Sequence, residues 1–363
     1  MLSSDIRLPD GDDKAPTHVG FLLIPDFALL PYASAIEPLR AANRLSGRPL
    51  YRWSHVSVEG GSASASNGVA IAADACVGAE LRLDYLFVCA GGNPALFQHQ
   101  PTFAWLRQLA RRGVRIGGVS GGSYLLARAN VLSGYRFTIH WEHAPALLEE
   151  YPGLDLRRSL YEIDRDRLTC SGGTAPLDMM HAIIAREHGS PLALAVSEWF
   201  LQTHVREGTG PQRMPLRERL GIAHAPLLRV IGRMEQTIET PESREELARL
   251  ANVSLRQLER LFRQHLGCSL GEHYLGLRLA RARDLLRQTS LSILEIALAC
   301  GFASASHFSR SYRRCFGHPP RAERLQQHPP LDARRQESVV LDQMNRPIRR
   351  KSRASDEKGD RDR

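Results

Sequence analysis

Three short segments contain the residues that could do chemistry, and each follows an apolar run. They are Gly91-Gly92-Asn93, Ser120-Gly121-Gly122-Ser123 and His140-Trp141-Glu142-His143. The run Gly118-Val-Ser120-Gly-Gly122 matches the G-x-S-x-G pattern of a nucleophile elbow, a sharp turn that exposes a serine hydroxyl between a strand and a helix. A serine nucleophile also requires a histidine base that is oriented by a carboxylate.

The residues around Ser120 leave three interpretations open. A serine hydrolase would use His140 as its base, but no third member is evident, and the order Ser, acid, His of the hydrolase fold is absent. In a purely structural interpretation, the glycines only permit a tight turn. We favour a non-catalytic pocket in which Ser120 and nearby N–H groups donate hydrogen bonds. His140 and His143 could share a metal ion, but no third ligand is apparent, so we expect none.

These segments fall within alternating strand and helix patterns that extend over residues 17–207. HVGFLLI (18–24) and YLFVCAGG (85–92) are typical of buried strands, as are RIGGV before the elbow and RFTIH (136–140). FAWLRQLARRG (103–113), PLDMMHAIIAREHG (176–189) and PLALAVSEWFLQTHVREG (191–208) have helical spacing. This alternation predicts an α/β fold, a mostly parallel sheet flanked by helices. Ligands of such sheets bind at the carboxyl ends of the strands, where the three segments would lie.

Charge is distributed unevenly along the 363 residues. The formal net charge is +9, and residues 241–330 contain 14 Lys and Arg against 8 Asp and Glu. Residues 1–240 are balanced, so the positive charge lies in the last third of the chain. This asymmetry predicts a C-terminal module that binds a polyanion.

The remaining composition excludes other classes of protein. No apolar run approaches the roughly 20 residues of a membrane span, and the polar N-terminus has no signal-peptide core. The six cysteines form no C-x-x-C pair, which favours a reducing cytoplasm over a disulfide scaffold or a zinc site. We expect a cytoplasmic protein without a cofactor.

Two helix-turn-helix patterns occur in the basic region. In SREELARLANVSLRQLERLFRQHLG (243–267) and SILEIALACGFASASHFSRSYRRCFG (292–317), a short turn separates two apolar stripes. LGEHYLGLRLARARDLLRQT (270–289) between them has the pattern of one long helix. Arg and Gln on the second helix of each pattern could bond guanine and adenine edges. The predicted DNA-binding residues are Ser254, Arg256, Gln257, Arg260, Ser304, Ser306, His307, Arg310 and Arg313.

Both halves of the sequence resemble known families. GVSGGSYLLARANVLSGYRFTIHWEH, Glu37 in SAIEPLRAAN and the Gly91-Gly92 loop are similar to the class I glutamine amidotransferase-like superfamily of the PfpI type. Enzymes of that superfamily have cysteine at the position of Ser120, and this departure favours a sensing role over catalysis. GFASASHFSRSYRRCFGHPPRAER resembles the DNA-binding domain of AraC/XylS-type regulators. Alanines at 303 and 305 depart from the polar residues often found there, so the second motif would read fewer bases.

Together the resemblances imply the architecture of GlxA-type transcriptional regulators. SEWFLQTHVREGTGPQRMPLRERLG is similar to the activators of choline, glycine betaine and carnitine catabolism, although arginine-responsive regulators share the architecture. We therefore expect an activator that binds promoter DNA and contacts RNA polymerase. The expected effector is a zwitterionic quaternary amine, with arginine as its rival. The predicted ligand-binding residues are Phe27, Glu37, Gly92, Asn93, Ser120, Gly121, His140 and Trp141.

The domain organisation follows from these patterns. We predict a sensing and dimerisation domain at 17–207, a Gly/Pro-rich linker at 208–225, a DNA-binding domain at 226–325 and a disordered charged tail at 326–363. One chain would occupy one half-site, so we expect a homodimer.

Overall fold

The computed structural model describes residues 15–327. The tail predicted at 326–363 therefore lies almost entirely outside the described residues. The N-terminal part is a seven-stranded sheet with helices on both faces, and the C-terminal part is helical. The strands are β1 (Thr17–Leu23), β2 (Tyr51–Ser57), β3 (Ser62–Ser64), β4 (Ala70–Ala72), β5 (Ala75–Cys76), β6 (Tyr85–Ala90), β7 (Arg115–Ser120), β8 (Arg136–Phe137), β9 (Asp155–Leu156), β10 (Tyr161–Asp164) and β11 (Arg167–Cys170).

The sheet has the strand order β10-β11-β7-β6-β1-β2-β5, and only β10 runs antiparallel to its neighbour. Strands β1 and β6 are almost wholly buried, as expected for strands covered on both faces. The prediction of a mostly parallel sheet flanked by helices is confirmed. In this order β7 lies between β6 and β11, so the carboxyl ends of these three strands meet at one edge.

The helices cover both faces of the sheet and then form the C-terminal part. They are α1 (Leu29–Ser46), α2 (Gln100–Arg111), α3 (Gly122–Arg128), α4 (Ala144–Glu150), α5 (Ala175–His188), α6 (Ser190–Trp199), α7 (Leu216–Leu220), α8 (Ala225–Gln236), α9 (Arg244–Leu250), α10 (Leu255–Leu266), α11 (Leu270–Gln288), α12 (Ile293–Ala299), α13 (Ala305–Phe316) and α14 (Pro320–Gln327). A single turn of 3₁₀ helix, Pro94–Leu96, follows β6.

Helices α9 and α10 form the first helix-turn-helix pair, α12 and α13 form the second, and α11 connects them. Ser243, Ser254, Ser269 and Ser292 each begin a helix with a capping box, in which the serine and the Glu or Gln three residues later satisfy each other's backbone N–H groups. Such caps fix the first residue of the short helices α9, α10 and α12 and of the long helix α11.

Two predicted elements are shorter than expected. The strand expected at 136–140 is limited to β8, because the N–H of Thr138 donates to the side-chain oxygen of Thr169 on β11 and its hydroxyl to the carbonyl of Ser159, so Thr138 does not continue the backbone pairing of β8. The helix expected at 191–208 ends at Trp199. The buried carboxylate of Asp178 accepts hydrogen bonds from Gln202 and Arg206, and these bonds hold residues 200–206 in a non-helical path.

The segment expected to be a linker, 208–225, contains α7 and bonds to the sheet domain. Gln212 donates hydrogen bonds to the carbonyl groups of Ile139 and Ser159, at 3.0 and 2.7 Å. Gly208 accepts a bond from the N–H of Leu160 at 2.7 Å. This connection therefore runs as a strap along the sheet domain.

Candidate functional site

Ser120 lies at the strand-to-helix turn between β7 and α3. Its φ of +57° is in the left-handed region that non-glycine residues rarely adopt, as expected of an elbow serine. A Cβ atom at Gly122 would lie 1.9 Å from the carbonyl oxygen of Val88, so only glycine permits this close approach of α3 to β6. The turn is therefore built as the G-x-S-x-G pattern predicts.

Neighbouring loops close around Ser120. A Cβ atom on Gly172 would lie 2.9 Å from the hydroxyl oxygen of Ser120, and one on Gly91 would lie 2.7 Å from the carbonyl oxygen of Asp26. The N–H of His140 points to the carbonyl oxygen of Ser120 at 3.5 Å. The segments after β1, β6, β7, β8 and β11 thus meet at the carboxyl edge of the sheet.

The arrangement around Ser120 lacks the hydrogen bond that activates a serine. Among residues 15–327, no histidine bonds the Ser120 hydroxyl, although His140 Nδ1 lies 3.8 Å from a Glu142 carboxylate oxygen. Burial lowers the pKa of His140, and His143 beside it lowers the pKa further. Cys170 lies behind the turn, and burial raises the pKa of its thiol to about 12, so this thiol is inert near neutral pH.

Trp141 is the accessible aromatic ring at this edge. It is 43% exposed and lies 5.3 Å from the ring of His140. The guanidinium of Arg213, from the strap, lies over its face at 4.6 Å. The ring therefore already makes a cation–π contact with a side chain of the protein itself.

The other predicted ligand residues differ in how far they are exposed and in the partners they have. Gly92 is exposed, whereas Gly121 is buried at the turn, where its N–H bonds the carbonyl of Ala90. Glu37 is half-buried on α1 and pairs with Arg40 at 2.5 Å.

The placements of Phe27 and Asn93 correct the prediction. Phe27 is 0% exposed and packs edge-on against Tyr32, so its ring belongs to the core and cannot face a ligand. The Asn93 side chain is occupied twice: its oxygen accepts from the N–H of Ala95, and its nitrogen donates to the carbonyl of Arg287 on α11. Asn93 therefore contacts the DNA-binding part instead of the pocket.

Both candidate recognition helices present polar faces to solvent. Leu258 and Phe262 bury one side of α10, and Phe308 and Tyr312 bury one side of α13. All nine residues predicted to bind DNA are exposed: Ser254, Arg256, Gln257, Arg260, Ser304, Ser306, His307, Arg310 and Arg313. Arg263 and Arg314 are exposed as well, so each helix has several cations along its free face.

Some of these side chains have a structural task as well. The Gln257 amide oxygen accepts from the N–H of Ser254 at 2.9 Å, which leaves its amide nitrogen to bond a base. Ser304 caps α13 through the N–H of His307. His307 packs edge-on against Phe302, with ring centroids 5.6 Å apart. The start of α13 is thus held rigidly in position.

Comparison with known proteins agrees with this division of the chain. The model of the DJ-1/PfpI family matches residues 26–186, and a helix-turn-helix domain model matches residues 247–326. The chain is 46% identical to the HTH-type transcriptional regulator GbdR of Pseudomonas aeruginosa, over 86% of this chain and 85% of that protein. It is 46% identical to GlxA of Rhizobium meliloti (85% and 96% covered) and 42% identical to ArgR of Pseudomonas aeruginosa (86% and 94% covered).

The chain belongs to this family of HTH-type transcriptional regulators. The resemblance of the sequence to GlxA-type regulators is thereby confirmed, with a DJ-1/PfpI domain joined to an AraC-type DNA-binding domain. The regulator binds DNA through the helical part. Within residues 15–327, no helix combines the length and the apolar character that crossing a membrane requires.

Sequence reasoning missed three residues of the regulator's candidate pocket. Arg213 covers Trp141, Gly172 packs on Ser120, and Cys170 lies behind the turn. The Gly172-Gly173 pair at the end of β11 was a readable signal, since glycine pairs also mark the other loops at this edge. No sequence pattern could have predicted the contact between Arg213 and Trp141, because it depends on the path that residues 208–225 take along the sheet domain.

Proposed function

We propose that the regulator is controlled by a small effector that binds at the carboxyl edge of the sheet, beside Ser120, His140 and Trp141. The proposed effector is a zwitterionic quaternary amine such as glycine betaine or carnitine, and the regulated genes are those of its catabolism. In this proposal the effector-bound dimer binds promoter DNA and activates transcription through contact with RNA polymerase, in the cytoplasm.

The observation that carries the proposal is the cation over Trp141. A quaternary ammonium group cannot donate an N–H hydrogen bond, so it is bound by aromatic faces, at about 0.5–2 kcal/mol each. The guanidinium of Arg213 lies 4.6 Å from the ring centroid, which identifies this face as one that attracts positive charge. At the same edge of the sheet, the exposed backbone at Gly92 and the largely buried Ser120 hydroxyl are groups that could bond a carboxylate.

Arginine remains the second candidate because of Glu37. This carboxylate already holds a guanidinium, with Arg40 Nε at 2.8 Å. An arginine effector would replace Arg40 at Glu37 or Arg213 at Trp141. A hydrolase that uses Ser120 is the weaker alternative, since no histidine within residues 15–327 bonds its hydroxyl. Such a hydrolase would lose all activity in the Ser120→Ala variant.

Calorimetric titration of the full chain with glycine betaine, carnitine and L-arginine tests the effector. We expect a quaternary amine to bind, and Trp141→Ala to weaken binding by about 0.5–2 kcal/mol through the lost cation–π contact. Leu298→Ala is the control, because Leu298 is a similarly exposed apolar side chain on α12, away from the pocket. Tight binding of arginine alone, or equal effects of the two substitutions, would contradict the proposal.

A further inference from the structure

Helix α11 belongs to two different apolar cores. Leu270 and Tyr274, in its first half, pack with Leu258 and Phe262 in the core of the first helix-turn-helix pair. Its second half, from Leu279 to Leu286, packs in a core that continues from the second pair into the sheet domain. The first pair therefore lies outside the core that reaches the sheet domain, whereas the second pair shares that core through the second half of α11.

The second half of α11 is docked on the two loops that carry candidate pocket residues. Asn93, beside Gly92, donates to the carbonyl of Arg287. His143, three residues after His140, donates through Nδ1 to the amide oxygen of Gln288 at 3.2 Å. Both partners are almost fully buried, at 4% and 8% exposure. Arg281 adds an ion pair with Glu149 of α4, at 3.7 Å.

A continuous series of hydrogen bonds joins the pocket to this helix. The His140 N–H points to the Ser120 carbonyl at 3.5 Å, the His143 N–H donates to the His140 carbonyl at 2.9 Å, and the His143 ring bonds Gln288. A buried series of this kind transmits displacement, because breaking any member leaves a polar group unsatisfied. Movement of the segment 140–143 must therefore move Gln288 or break a buried bond.

Gly276 lies between the two halves of α11. It is exposed, and no atom lies within 4 Å of the position that a Cβ atom would take, so packing does not require glycine there. Glycine inside a helix weakens it and is one of the recognised causes of bending. The helix is thus weakest where the two cores overlap, since Leu275 already packs on the core shared with the sheet domain and Leu277 still packs on the core of the first pair.

We propose that α11 couples the pocket to DNA recognition: a change in the loops 91–97 and 140–150 shifts its docked half, and bending at Gly276 alters the angle between α10 and α13. The effector part of this inference rests on the proposed function. The coupling itself is independent of the effector's identity, because linkage requires that DNA binding alter the sensor loops by the same free energy.

Hydrogen–deuterium exchange of the full chain tests the coupling without an effector. The probe is a duplex recovered by in vitro selection with this protein. We expect DNA to change exchange in peptides 91–97 and 140–150 about fivefold or more, the lower range of allosteric coupling. The double variant Arg281→Ala/Gln288→Ala should bind the duplex but lose this response. Gln236→Ala, an exposed glutamine at the end of α8, is the matched control and should keep it.

Unchanged exchange of the sensor peptides in the DNA-bound wild type would overturn the inference, as would a full response in the double variant. Should the double variant not fold, Gly276→Ala replaces it, since this change keeps every docking contact. Because α11 bends less in the Gly276→Ala variant, this variant should bind duplexes over a narrower range of spacings between the two DNA segments that α10 and α13 contact. An unchanged range of spacings would contradict the inference. Addition of glycine betaine or L-arginine is a separate experiment. If neither binds, the proposed effector is wrong, but the change in exchange that DNA induces still tests whether α11 couples the two parts.

Discussion

At the scale of single residues, what a side chain can bind or attack depends on which of its atoms have no partner within the protein. Ser120 keeps the strained backbone of an elbow, but none of the histidines in the described part of the chain bonds its hydroxyl, so the turn is better suited to binding than to nucleophilic attack. Glu37 and Trp141 each already hold a guanidinium, from Arg40 and Arg213. An effector that bound at Trp141 would therefore compete with Arg213, and one that bound at Glu37 would compete with Arg40, so the measured affinity would be the difference between the new contact and the one it replaces.

The exposed arginines of the two recognition helices give a prediction at this scale. Arg260→Ala and Arg310→Ala should each weaken binding to the selected duplex by about 1–3 kcal/mol and relax specificity at one base position. Arg111→Ala is the matched control, because this arginine is exposed on α2 of the sheet domain. Gel-shift titrations give the affinities, and unchanged affinity in both recognition variants would show that these faces do not read DNA.

At the scale of elements, the sequence predicts what depends on periodicity and end signals. The buried strands, the long helix α11 and both helix-turn-helix pairs lie where apolar spacing indicates, and in the structure Ser-x-x-Glu/Gln caps fix the first residues of these helices. The sequence could not predict that β8 ends at Phe137 and α6 at Trp199, because tertiary hydrogen bonds of Thr138 and Asp178 determine where these elements end. For the same reason Phe27 and Asn93 could not be separated from the other predicted ligand residues by type and position alone.

The helix α11 gives a prediction about stability. Gly276→Ala should raise the free energy of unfolding by about 0.5–1 kcal/mol, because alanine costs less entropy in a helix and meets no neighbour there. Gly267→Ala should have the opposite effect, since Gly267 ends α10 with a φ of +70° that alanine adopts at a cost of about 1–2 kcal/mol. Urea denaturation measures both, and a loss of stability in Gly276→Ala would mean that α11 is strained at this point.

At the scale of the whole molecule, the distribution of charge and the extent of the apolar core suggest different boundaries between the two parts of the regulator. The excess of positive charge lies in the DNA-binding part, so composition indicates two functional units. The apolar core does not follow this boundary, since the second helix-turn-helix pair shares a core with the sheet domain. This continuity involves side chains distant in sequence, and therefore only the structure reveals it.

Assembly gives a further prediction at this scale. Helix α6 leaves Leu194 and Trp199 exposed, and Leu201 just beyond it is exposed too, an apolar face suited to a second copy of the chain. Sedimentation equilibrium of the full chain should give twice the chain mass. Leu194→Glu/Leu201→Glu should give the monomer, whereas Val69→Glu, at another exposed apolar site, should leave the mass unchanged. A monomeric wild type would refute the dimer.

The central claim is that an effector in the sheet domain controls binding of DNA by the helical part. Fluorescence anisotropy of the labelled selected duplex, titrated with the full chain at fixed salt with and without saturating glycine betaine, tests it most directly. We expect the dissociation constant to change by a factor of about 5–150, the usual range of allosteric coupling. Identical affinities with and without glycine betaine, carnitine and L-arginine would contradict ligand control, and equal affinity for a scrambled duplex would contradict sequence-specific recognition.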